Sequence, residues 1–425
     1  ILKIKLMKNI NNNIAKLSIT IIIFITIYII INSSFVSLFI WKLPNLFQDW
    51  SIAIDWLRCN SIGYDIYSSS IKNCTNDLMA YGRVWMLIPY FEKFENFYYI
   101  YLPYLIILIS IFCILKIINP KDNMSWLIFI LCIFNPSTLL TFERANIDLL
   151  IFTLSIVIVL NRAFILNWFI YIFLSFLKIY PFFLCLNFFL ENKNRNTKRI
   201  IYYALFLILI SIIYLIFNFK YDFINFFGGG AVAGKAGYQF LWSLNSLAKI
   251  LKYSLEFNYI FSLLITLVIY IFLVKVLLKK MNERIYVLKE NFFENVNLRI
   301  FLVGSLMSLF CYIFFSNWSY REIFIILSIP YLYSLSLKLF NQKNLNLITI
   351  LIVSRYVFIF LYSYLNVVLT PESVNGERVF SNYLIFVNLI KSLIDMTLMS
   401  LIASILIIKI RDLFAVIKLQ LKMNH

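Results

Sequence analysis

The chain has 425 residues, 62% of them hydrophobic and 19% aromatic, and 38 Lys and Arg against 20 Asp and Glu give it a formal net charge of +18. Soluble domains are only about 45–50% apolar, so this composition excludes a water-soluble protein and indicates a polytopic membrane chain. The basic excess argues no further for nucleic acid, because none of the loops expected on the outer face concentrates it.

ILKIKL precedes the first Met, Met7, which leaves the true start open, and NINNNI reads as a polar tail. Apolar segments then follow at 18–40, 98–118, 124–141, 147–160, a broken one at 163–190, 200–218, 258–278, 300–316, 322–337, 345–365 and 383–408. The expected fold is an all-α helix bundle of about 11–12 transmembrane segments in a single integral-membrane domain over residues 1–425. With the N-terminus cytoplasmic, the tail, the loops on its side and the C-terminus collect most of the Lys and Arg, as the positive-inside rule requires. Both termini are then cytoplasmic.

The broken segment tests that topology. FILNWFIYIFLSFLKIYPFF has too few apolar residues before Lys178 to cross alone, and FFLCLNFFL after Pro181 is shorter still. A re-entrant hairpin with KIYP at its turn keeps ENKNRNTKR on the basic side. Broken backbone at membrane depth needs protein or a watery cavity around it, so Lys178 is expected to face a cavity open to the outside. The same topology puts the first loop 41–97, TFERANID, the Gly-rich loop 219–257 and NWSYRE on the outer face. Polar features converging on one side suit an outward-facing site built from loops on a helical scaffold.

The only His is His425, so His-based acid–base chemistry, a His metal site and a Ser-His-Asp triad are absent from this reading, and no metal is expected. Cys59 and Cys74 share the first outer loop, where they are either disulfide-bonded or two independent thiols. GGAVAGKA fits part of a phosphate-binding loop, but Ala236 stands where Ser or Thr would bind magnesium, so a flexible loop or a mobile lid is the reading left.

Acidic and basic side chains remain. They suffice to move a sugar from a lipid phosphate to a hydroxyl: a carboxylate takes the acceptor proton and cations stabilise the departing phosphate. FQDWSIAIDWLRCNSIGYDIY, NPSTLLTFERANIDLLIF, LKIYPFFL and NWSYREIFII occur in that order. Together they resemble the C-type membrane glycosyltransferases that use polyprenyl-phosphate sugars, most of all glycosyltransferase family 87 with its bacterial α-mannosyltransferases. The resemblance covers about 40–340 and implies a helix bundle with a large first outer loop. It further implies an inverting transfer with mannose as the first candidate sugar, a glycolipid or glycan acceptor, no cofactor and no nucleic acid, at the outer face of a bacterial cytoplasmic membrane.

By that resemblance Asp49 is the catalytic base and Asp55 the second choice, each otherwise a helix cap or a solvated loop charge. The spacing from Asp49 to Gly63 is one residue longer than the family pattern, and Ile66 stands where Pro is usual. Arg321 beside Tyr320, and Lys178 beside Tyr180, would bind the donor phosphate. For Arg321 the alternative is an ion pair with Glu322 or an interfacial anchor; for Lys178 it is a helix C-terminal carbonyl. Arg144 would face phosphate with Glu143 holding it, while Asn146 and Asp148 fix the turn and cap the next helix. Arg355, Asp395 and Lys391 are expected to form a structural ion-paired cluster at mid-span. A lipid-linked oligosaccharide flippase would instead line a through-path with polar residues, and an O-antigen-type polymerase would favour Arg-rich outer loops.

Overall fold

The computed structural model describes residues 2–40, 45–66, 74–75, 82–161, 163–178, 180–190, 197–218, 241–255, 257–285, 295–314, 317–339, 347–369 and 382–423. Apolar runs become helices because a helix satisfies its own backbone N–H and C=O groups where no water can. In chain order these are α1 (Leu2–Asn32), α2 (Gln48–Ser61), α3 (Leu102–Ile118), α4 (Asn123–Phe134), α5 (Pro136–Arg144), α6 (Ile147–Leu160), α7 (Phe164–Leu177), α8 (Cys185–Leu190) and α9 (Thr197–Asn218). They continue as α10 (Leu244–Leu255), α11 (Tyr259–Ile285), α12 (Val296–Phe314), α13 (Ile329–Leu339), α14 (Leu347–Leu369) and α15 (Asn382–Met423). One two-residue antiparallel ladder joins β1 (Leu241–Trp242) to β2 (Asn317–Trp318).

Among the described residues, six helices are long and apolar enough to cross a bilayer, or eight if two bent pairs each count as one span. Two of the expected segments are shorter than a full span: α6 and α7 are apolar helices of 14 residues each, whereas α9 runs for 22 residues. The run at 124–141 bends by 45° between α4 and α5, where Pro136 has no N–H to continue the helix. Asn135 caps the new start by accepting from the Thr138 amide at 3.0 Å. The run at 322–337 bends by 42°, between a 3₁₀ segment (Ser319–Leu327) and α13. The run at 163–190 does break near KIYP: α7 ends at Leu177, Lys178 is extended, and a 3₁₀ turn (Tyr180–Leu184) leads into α8.

A contiguous buried core, including Ile114, Phe129, Phe152, Phe301, Leu332 and Met399, runs through these helices, while Ile260, Val268 and Phe272 of α11 face outward. An apolar exterior is the expected solution when the surroundings are lipid. Two sets of polar contacts mark the ends of the bundle. At one, Lys16 reaches Asn119 at 2.8 Å, Arg299 reaches the Val159 carbonyl at 3.3 Å and Arg411 reaches Asn282 at 2.9 Å. The opposite end carries α2, the α5–α6 turn, the break after α7 and the β ladder.

Candidate active site

The loop before α2 and the turn after α5 are tied together first. Phe47 takes φ 60° and donates its amide to the Glu143 carbonyl at 2.9 Å, while its ring packs edge-on against Tyr104 at 4.7 Å. Ala145 takes φ 45°, reversing the chain in one residue so that Asn146 can cap α6. Left-handed conformations in residues other than glycine cost about 1–3 kcal/mol and persist where surroundings enforce them, often at functional sites. Two such residues bracket the candidate site here.

Asp49 lies in the first turn of α2, where free amides favour a carboxylate. The Asn146 amide donates to it at 2.8 Å, and Arg144 Nη1 lies 3.9 Å away. Asn146 therefore does two jobs, because its side-chain oxygen also accepts from the Asp148 amide at 3.0 Å. Burial pushes the Asp49 carboxyl above the usual carboxylate range, against the opposing pull of Arg144 and Asn146. The Arg144 Nε is buried with no hydrogen-bond partner among the described residues.

Two residues beyond Asn146, the fully buried Asp148 gathers further charges. Lys178 Nζ approaches one carboxylate oxygen at 2.6 Å, the Tyr180 hydroxyl donates to the same oxygen, and Arg321 Nε approaches the other at 3.1 Å. Lys178 is only 7% exposed. It therefore does not face an open cavity, and its partner is a carboxylate rather than a helix-end carbonyl. Arg321 keeps 22% exposure at the edge of the same cluster. The side chain of Tyr320 is outside the described residues, as are 219–240 with the glycine-rich motif.

Other expected residues part from this group. Asp55 accepts from the Tyr99 hydroxyl at 2.7 Å and pairs with Arg58 at 3.2 Å, so it is engaged on another face of α2. Glu143, by contrast, stays with the site turn, fully buried and with its carbonyl on the Phe47 amide, while its neighbour Arg144 turns to Asp49. Cys59 and Cys74 are bonded, with Cα atoms 5.9 Å apart, which ties the end of α2 to the loop beyond it.

Glu322 does not pair with its neighbour Arg321. It turns inward to Arg355 and, at 3.5 Å, to Lys391. Asp395 completes the cluster, 2.8 Å from Arg355 and 3.2 Å from Lys391, giving two buried cations and two buried anions. Consecutive 3₁₀ residues project in different directions, so one segment serves two charge clusters.

Sequence reasoning assigned Asp148 only a capping role and missed Glu322 as the fourth member of the inner cluster. The available signal was the position of each carboxylate inside an apolar run, where an ionisable residue needs a partner or a task. Among the described residues, no three His, Cys, Asp or Glu side chains converge as a metal site.

Fold and charge placement define the class: an integral-membrane helical bundle with a cluster of charged side chains at one end. No family model matches this chain, and comparison with curated proteins and with solved structures likewise finds no match.

Proposed function

We propose that this chain is an inverting glycosyltransferase of the C type, moving a sugar from a polyprenyl-phosphate donor to a glycolipid or glycan hydroxyl. The observation that carries the reading is the juxtaposition of a partly buried carboxylate of raised basicity with a group of cations. Among the described residues, Arg144 lies 3.9 Å from Asp49, and Lys178 and Arg321 converge on Asp148. Such a group of cations suits an anionic substrate.

In this mechanism the acceptor hydroxyl attacks the anomeric carbon from the face opposite the phosphate. Its proton passes to Asp49 as the carbon–oxygen bond to phosphate breaks. The bonding electrons leave on the polyprenyl phosphate, whose developing charge meets Arg321 and the under-partnered Arg144. Asp148 acts on the cations, holding Lys178 and Arg321 in position. A phosphate departs without protonation, so a second acid is unnecessary, unlike in glycosidases. The basic opposite end, with Lys16, Arg299, Lys279, Lys280 and Arg411, supports a cytoplasmic assignment for that end, and hence an outward-facing site.

The test is transfer in liposomes containing purified protein and a panel of labelled polyprenyl-phosphate sugars, mannose first. Wild type should transfer from at least one donor, and Asp49→Asn, folded and inserted, should lose at least a hundredfold in rate. Transfer from none of the donors would refute the reaction class; full activity in Asp49→Asn would remove Asp49 from it.

A further inference from the structure

At the basic end of the bundle, opposite Asp49, α11, α14 and α15 part around a cavity of about 340 Å³. Leu277, Leu351, Phe358 and Ile394 are among the side chains that make its wall apolar, and Thr397 adds a hydroxyl already committed to the Leu393 carbonyl at 2.8 Å. Lys280 also lines it and is exposed. Leu347 and Ile350, on the same lining, are 57% and 39% exposed, so the cavity opens sideways on an apolar flank.

Its dimensions fit one leaflet. Leu347 to Phe358 spans about 16 Å along α14 at ~1.5 Å per residue, roughly half of the ~30 Å hydrocarbon core. Among the described residues no acidic side chain lines the cavity, and Lys275 and Lys279 stand exposed on α11 beside Lys280. An apolar slot with a cationic rim complements an amphiphile with an anionic head. Left empty, its walls would forfeit dispersion contacts.

We infer that this cavity is a binding site for one anionic phospholipid, with an acyl chain between α11, α14 and α15 and the headgroup phosphate against Lys280. Ser354 and Ile394, on its wall, immediately precede Arg355 and Asp395.

The experiment uses the full chain in nanodiscs of equal phosphatidylglycerol and phosphatidylcholine, then native mass spectrometry after release into mild detergent. Wild type should retain one phospholipid, with phosphatidylglycerol favoured at least fivefold. Lys280→Glu, a surface change, should abolish that preference, and Thr397→Phe should fill the slot and lose the bound lipid. Should Thr397→Phe fail to fold, the Lys280→Glu comparison still decides the matter. Retention of no lipid by wild type, equal retention of both lipids by wild type, an unchanged preference in Lys280→Glu, or an undiminished lipid in folded Thr397→Phe would overturn the site. So would a polyprenyl phosphate or a second copy of the chain in place of the phospholipid.

Discussion

Replacing Asp148 by Asn tests whether one buried carboxylate organises the candidate site. The substitution preserves shape but leaves Lys178 and Arg321 facing a neutral amide. Breaking a buried ion pair by removing one partner costs about 3–5 kcal/mol, because the other charge is left uncompensated. Lys178, at 7% exposure, carries most of that penalty, whereas Arg321, at 22%, can recover part of its hydration. The amide oxygen of Asn still accepts one hydrogen bond, which places the expected loss near the lower bound, about 3 kcal/mol. Unfolding in mixed micelles titrated with a denaturing detergent measures it. Asp148→Asn combined with Lys178→Met should recover to within about 1 kcal/mol of wild type, since the more deeply buried of the two cations is then gone. A single variant within about 0.5 kcal/mol of wild type, or a double variant no more stable than the single one, would refute Asp148 as the hub.

Three further outcomes follow from the geometry. Asp49 has its folded-state pKa raised by burial, so transfer should rise with pH through a window displaced above the ordinary carboxylate range. Over the same window wild-type stability should fall relative to Asp49→Asn, because the favoured neutral carboxyl is being ionised; parallel pH profiles of rate and unfolding check both signs. Arg355→Met, which leaves Glu322 and Asp395 facing Lys391 alone, should cost about 3–5 kcal/mol, and adding Glu322→Gln should restore much of it. A thermal-stability series in detergent would show no such rescue if the cluster were not charge-balanced. A methyl group at Gly82 would sit 1.8 Å from the Phe176 carbonyl oxygen, in backbone that also receives the Gly82 amide through Leu177 at 3.1 Å. Gly82→Ala should therefore destabilise by about 1–3 kcal/mol and, by shifting the end of α7 that carries Lys178, lower transfer more than it lowers helix content by circular dichroism.

How much of this was legible beforehand depended on the kind of signal each residue gives. Long apolar runs such as those of α3, α11 and α15 announce themselves, because the bilayer demands both length and uniform hydrophobicity. The break at KIYP was legible for the converse reason: neither half was long enough. Arg355, Lys391 and Asp395 could be grouped because Lys391 and Asp395 are four residues apart on one helix. Glu322 could not be added, since its partners lie on α14 and α15 and its sequence neighbour Arg321 offered a nearer but incorrect pairing. Asp148 was equally ambiguous, as its place in the first turn of α6 fits a capping residue just as well.

The sequence by itself determined that this is a helical membrane bundle, because hydropathy is a property of short stretches. It also nominated Asp49, Arg144, Asn146, Lys178 and Arg321. Only the tertiary structure decided that Asp49 answers to Asn146 and Arg144, that Asp148 binds Lys178, Tyr180 and Arg321, and that Asp55 belongs elsewhere. Ion pairs form across the ends of helices separated by as many as 173 residues, as between Arg321 and Asp148. Their choice of partner is set by how the bent and broken helices pack, which no local stretch of residues encodes.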